Sequence, residues 1–184
     1  TADTLAALRY AKALPSGAGY LATLAICNKP ETSLTRESDL VLMTRAGPEI
    51  GVASTKAFVG QVLLLTLLSL YIGRRKHLSQ ELMQTYLQQL KRLPIEAARV
   101  LEQSDMIRRC AERFVDRDNW LFLGRGYNYP VALEGALKLK EISYIHSEGL
   151  PAAEMKHGPI ALIDEDMPVV VVAPRDHTYE KVLS

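Results

Sequence analysis

The chain reads as an α/β protein: doubly wound parallel sheets flanked by helices. Three observations predict this. Short apolar runs alternate with longer segments of helical periodicity, the order expected of strands and crossover helices. The runs are nearly continuous in their apolar character, as strands covered on both faces are. They also fall into two groups with a helical stretch between, and in each group short strands lead into turns and then helices. The two groups read as similar units, without a tight sequence repeat.

The elements follow in order. Ala2 to Leu14 is rich in Ala and Leu, with Leu5, Leu8 and Tyr10–Ala11 at helical spacing, and predicts a helix. Pro15-Ser16-Gly17-Ala18-Gly19 is punctuated as a loop. Tyr20 to Cys27 is an apolar run ending at Asn28-Lys29-Pro30, and predicts a buried strand. Ser38-Asp39 precedes a second strand, Leu40 to Thr44. Gly47 to Gly51 is loop, and a long helix is expected from Ser54 to Gly73. Its most apolar part, Val59 to Ile72, is 14 residues long. A membrane span needs roughly 20, so a buried core helix is expected and no segment suited to a membrane. Gly73-Arg74-Arg75-Lys76 places cations at its C-terminus, where the helix dipole favours them.

Ser79 to Val115 is helical in pattern but broken at Pro94, with Ser104 and Asp105 as an N-cap for a further helix. Its Gln, Arg and Glu content reads as a connector of surface helices. Asn119 to Leu123 is a strand ending at Gly124-Arg125-Gly126, and Pro130 opens a helix running to His146. Pro151 to Pro159 is loop or broken helix. Pro168 to Ala173 is the most β-prone run, and His177 to Ser184 starts another helix.

Composition limits the function classes. The 184 residues carry 22 Lys+Arg against 21 Asp+Glu, a net charge of +1, which argues against a broad nucleic-acid surface. Cys27 and Cys110 are too few for a disulfide scaffold and point to a reducing compartment, hence a cytoplasmic location. His77, His146, His157 and His177 make no close ligand pair with each other or with the cysteines, so no metal site and no cofactor is expected. Cys27, in a buried strand, reads as core rather than nucleophile.

Ligands of open α/β sheets sit beyond the carboxyl ends of strands, so the turns after strands are where chemistry is expected. Gly124-Arg125-Gly126-Tyr127-Asn128-Tyr129 lacks the third glycine of a dinucleotide loop, because Tyr129 stands there, and reads as a tight turn. Ser54 and Thr55 stand where a helix begins. They read either as a plain N-cap or as hydroxyls for a phosphate or sugar oxygen. Glu134, Lys138 and Glu141 lie at i, i+4 and i+7, a stripe roughly 60° wide on a helix that is otherwise largely apolar. They read either as a surface ion pair or as acid, cation and acid placed to move a proton beside a carbonyl. His157, between Lys156 and Gly158, reads either as an exposed loop histidine or as a general acid/base near neutral pH.

Longer blocks carry a resemblance. Glu49-Ile50-Gly51-Val52-Ala53-Ser54-Thr55-Lys56-Ala57-Phe58 resembles one signature of the isomerase region of the glutamine:fructose-6-phosphate amidotransferase (glucosamine-6-phosphate synthase) family. Phe122 to Gly126, Tyr129-Pro130 and Ala132 to His146 resemble a second. Lys156-His157-Gly158-Pro159 and Met167-Pro168-Val169 continue it. The resemblance covers essentially the whole chain. It implies two incomplete sugar-isomerase (SIS) units: residues 1–79 as the C-terminal part of the first, 80–110 as a helical connector, and 111–184 as the N-terminal half of the second.

The activity implied is synthesis of glucosamine 6-phosphate from fructose 6-phosphate and ammonia, the ammonia coming from a glutaminase domain of the same parent chain. A homo-oligomer is implied, and no nucleic-acid or membrane partner. By the same resemblance Glu141 moves the proton between C1 and C2, Lys138 positions and polarises the open-chain sugar, and His157 assists ring opening, reaching a neighbouring subunit's site. Val52 and Ser54 match sugar-contacting positions, and Thr1 matches the last residue of the phosphate loop. Pro15 to Ala18 resembles a small insertion, and Ala153 replaces a usual glycine. The family's glutaminase domain, most of its phosphate loop and its Schiff-base lysine have no counterpart, so a fragment without synthase activity of its own is expected. The other readings are a related SIS-fold isomerase or deglycase, and a sugar-phosphate-sensing SIS domain.

Overall fold

The computed structural model describes residues 2–15 and 21–183. The chain divides into two compact units, Thr1–Arg92 and Leu93–Ser184. The expectations placed on Thr1, on Ser16 to Tyr20 and on Ser184 lie outside the described residues.

In the first unit, helix α1 (Ala2–Ala13) is followed by strand β1 (Leu24–Cys27), helix α2 (Ser33–Glu37), strand β2 (Leu40–Met43) and helix α3 (Lys56–Lys76). β1 and β2 pair in parallel from Leu24 opposite Leu40 to Cys27 opposite Met43. β1 is thus shorter than the apolar run that announced it, because its ladder is only as long as its partner. The short α2 was not foreseen. Its signal is Thr32, whose side chain accepts the backbone N–H of Thr35 as an N-cap. Arg9 of α1 forks onto Glu37 at 2.7 and 2.8 Å, and Lys12 donates to Asp39 at 2.9 Å, so α1 is tied to the start of β2 by charge.

α3 overturns two expectations. It is 21 residues long, beyond the apolar run at both ends, and is long and apolar enough by length and composition to cross a membrane. Nor is it a buried core helix within this chain: only Leu70 is buried, while Val59, Leu65 and Tyr71 are exposed. A two-stranded ladder of four-residue strands is too small to cover so long a helix.

Helix α4 (Gln80–Leu101) begins in the first unit and ends in the second. The helix runs through Pro94 instead of breaking there. The lost N–H costs one bond to Leu90, and good helix formers flank it on both sides. α5 (Ser104–Glu112) follows without the predicted side-chain cap. Its N-cap is Gln103, and the Ser104 hydroxyl donates back to the Leu101 carbonyl at 2.5 Å. Strand β3 (Asn119–Gly124), helix α6 (Tyr129–Ser143), strand β4 (His146–Pro151), strand β5 (Val169–Val172) and helix α7 (Tyr179–Leu183) complete the unit.

The sheet order is β4-β3-β5, all parallel, so parallel sheets flanked by helices are what the chain forms. Its core is Leu121, Leu123 and Met155, with Leu150, Met167 and Val169 packed against them. The helix expected to reach His146 ends at Ser143. Tyr144 turns it in the left-handed region at φ 63°, and His146 opens β4 instead.

Candidate functional site

α6 docks on the sheet through its smallest residues. Ala132 and Ala136 are fully buried, whereas Val131, Leu133, Leu137 and Ile142 are partly exposed. Small residues allow the closest approach, so it is the two alanines, and not the larger apolar side chains, that seat the helix. β4 lies against the same helix. Ser147, with no exposed surface, donates its hydroxyl to the Ala136 carbonyl at 2.6 Å.

At about 100° per residue, Glu134, Lys138 and Glu141 fall on the side of the helix away from that packed face. Lys138 Nζ lies 2.6 Å from Oε2 of Glu141 and 3.4 Å from Oε1 of Glu134. These three side chains are only 19 to 30 % exposed. The hydrogen bond to Glu141 comes first among the causes that hold the Lys138 ammonium above its ordinary pKa, with Glu134 reinforcing it. Lys138 is therefore a fixed cation at neutral pH. Glu141 engages it through one oxygen, and the other accepts no hydrogen bond among the described residues. A carboxylate with a free oxygen beside a held ammonium can take up a proton while the cation polarises an adjacent oxygen.

His157 ends a 3-10 turn, Ala152–His157. Met155, two residues earlier, is buried in the core and anchors the turn, so Lys156 and His157 face outward. Gly158 follows at φ 136°, a backbone value that a side chain would strain. Ala153 sits in the turn without a positive φ, so the missing glycine there costs the backbone nothing. His157 is exposed and unpartnered among the described residues. A cavity of about 400 Å³ beside the ends of β3 and β5 is lined by Arg125, Lys156 and Lys181 over an apolar floor, but by none of Lys138, Glu141 or His157.

In the first unit the loop between β2 and α3 presents Ile50 and Val52 almost fully to solvent, at 96 and 92 % exposure. Ser54 and Thr55 do not cap α3 in the predicted way, since Thr55, the N-cap residue, makes no side-chain cap bond. The capping group is Glu49. It accepts the Thr55 backbone N–H at 2.6 Å, the Thr55 hydroxyl at 2.9 Å and the Ser54 hydroxyl at 3.4 Å. The Thr55 N–H foremost, then the Thr55 hydroxyl and the backbone N–H groups of Ala57 and Lys56, hold its carboxyl below the ordinary Glu range. Asn28, after β1, ties the other end of the loop. Its Oδ1 accepts from Thr44 Oγ1 at 2.8 Å and Ala46 N at 2.9 Å, and its Nδ2 donates to the Gly47 carbonyl at 2.6 Å. A cavity of about 390 Å³ lined by Thr4, Asn28, Lys29 and Thr32 adjoins the end of β1. Neither Asn28 nor Glu49 stands out from the sequence as a site residue. The available signal for Glu49 was a carboxylate just ahead of a helix whose own first turn has no acid.

Of the residues singled out from sequence, Lys138 and Glu141 are in direct contact, together with Glu134. His157 lies elsewhere in the same unit, Val52 and Ser54 lie in the first unit, and Thr1 is outside the described residues.

The SIS domain family profile matches residues 1–71 and 113–184. The chain is 56% identical over 184 residues to the glutamine–fructose-6-phosphate aminotransferase (isomerizing) of Chlorobaculum tepidum, covering all of this chain and 29% of that protein. It is 55% identical over 184 residues to the protein of the same name from Escherichia coli (strain K12), covering all of this chain and 30% of that one. The chain thus spans about a third or less of the length of these curated relatives. Among solved structures it matches the C-terminal domain of glucosamine-fructose-6-phosphate aminotransferase from Francisella tularensis with a TM-score of 0.94 at 47% identity, over 100% of this chain and 51% of that one.

Proposed function

Because the chain belongs to the SIS domain family, we propose that it forms part of the isomerase region of a glutamine–fructose-6-phosphate aminotransferase. The product is glucosamine 6-phosphate, made from fructose 6-phosphate and ammonia released from glutamine by a glutaminase domain of the parent protein. The single observation that carries the chemistry is Lys138, held as a cation between Glu134 and Glu141 on the outer side of a helix fixed by buried small residues.

Ammonia condenses with the C2 carbonyl of the open-chain ketose and water leaves. Glu141 takes the proton from C1 and returns it to C2, so the double bond moves and C1 becomes the aldehyde carbon as O1 gives up its proton. Lys138 holds the sugar and polarises its oxygen as charge develops. His157, exposed and unpartnered among the described residues, is the acid/base for ring opening and acts in a neighbouring subunit's site, which makes the working protein a homo-oligomer. Val52 and Ser54 contact the sugar, and Thr1 closes the phosphate loop. The net reaction transfers a proton and an amino group and calls for no redox cofactor or metal. The reading also keeps the three-part division 1–79, 80–110 and 111–184, a cytoplasmic location, and α3 as part of a SIS unit rather than a membrane span. It assigns no nucleic-acid partner.

The test is Glu141→Gln in the full-length protein. The variant should bind fructose 6-phosphate almost normally and lose about 10²–10⁴-fold in kcat, the usual worth of a positioned acid/base. Exchange of the C1 proton with deuterated water should stop with it. Undiminished turnover would move the proton transfer to another group.

A further inference from the structure

We propose that Asn28 and Glu49 are positioning residues that string the loop between β2 and α3 between two polar clamps and so present Val52 and Ser54 to the sugar. This rests on the reading of fructose 6-phosphate as substrate. The loop has no ladder or helix of its own from Thr44 to Thr55. Its first part is held by the Asn28 amide, both ends of which are spent on it: Oδ1 on Thr44 and Ala46, and Nδ2 on the Gly47 carbonyl. Its last part is held by Glu49, which folds back over the intervening residues to accept from Ser54 and Thr55. Between the clamps, Ile50 and Val52 pack on almost nothing, so no apolar contact fixes their place.

Two consequences follow for recognition. The Ser54 hydroxyl donates to Glu49 and accepts no hydrogen bond among the described residues, so its oxygen is set to accept one from a substrate hydroxyl. The N-terminus of α3 already holds a carboxylate, so this loop faces the neutral part of the sugar and not its phosphate. Contacts of this kind are equally present in ground and transition states, so loss of a clamp should appear in KM and not in kcat.

The experiment measures fructose 6-phosphate kinetics and thermal unfolding in the full-length protein. The variants are Glu49→Ala, Glu49→Gln, Asn28→Ala and Asn28→Asp. Each alanine variant should raise KM about tenfold, the effect of losing a charge-assisted or multiple hydrogen bond, with kcat near that of the parent. Glu49→Gln and Asn28→Asp keep part of each acceptor set and should recover part of the loss. They carry the test if an alanine variant fails to fold. Unchanged KM in folded variants, or KM, kcat and Tm failing together, would overturn the inference while leaving the function in place. A parent protein that does not turn over fructose 6-phosphate would instead overturn the functional reading, and the inference with it.

Discussion

Lys138 keeps its proton because carboxylates one turn away on either side of its own helix reach it, and the sequence spacing alone sets that up. Asp39 is the contrasting case, because its partners come from far along the chain. It accepts the Thr23 backbone N–H at 2.8 Å and hydroxyl at 2.7 Å, with Lys12 on its other oxygen. The Thr23 bonds, followed by that to Lys12, hold its carboxyl far below the usual Asp range. A carboxyl with a depressed folded pKa stabilises the fold above its unfolded value, about 3.9, and loses that contribution as pH falls toward the folded value. Asp39→Asn should therefore lower the unfolding midpoint of the full-length protein at pH 7. The gap from the parent should narrow below about pH 4. A gap of the same size at pH 7 and pH 3 would show that the charge on Asp39 contributes nothing.

At the scale of elements, the pairing of α6 with β4 decides where the charged stripe points. A Cβ on Gly149 of β4 would lie 2.8 Å from the Leu133 Cα of α6, closer than backbone can yield without moving. Gly149→Ala should push the helix off the sheet and cost about 1–3 kcal/mol, read from urea unfolding of the full-length protein. Full stability in that variant would mean that the two elements do not approach as described. β4 is also the strand the sequence concealed. His-Ser-Glu-Gly-Leu-Pro has little β propensity, and it becomes a strand because β3 offers six residues of parallel partner. β3 and β5 were legible because their apolar runs are strong signals in themselves. α3 was legible as a helix but not in its burial, which depends on how much sheet lies beneath it.

Over the whole molecule, the SIS profile matches twice, once in each compact unit. In the proposed function the labour divides likewise: sugar-contacting residues belong to the first unit and proton-transfer residues to the second. Ser54→Ala should accordingly raise the KM for fructose 6-phosphate by about tenfold at nearly constant kcat, while a substitution at Glu141 should act on kcat. Steady-state kinetics of the two single variants check this, and a fall in kcat alone for Ser54→Ala would contradict the division. The sequence by itself determined the α/β class, the helical stripe of Glu134, Lys138 and Glu141, and the motif blocks around Val52, Ser54 and His157. Each is a matter of local spacing, periodicity or residue type. Only the tertiary structure decided that small residues seat α6, that Glu49 rather than Ser54 or Thr55 caps α3, that Asn28 holds the loop, and that His146 begins a strand. The reason is physical: a hydrogen bond or close contact between residues distant in sequence depends on where the rest of the chain brings the partner, and no local pattern records that.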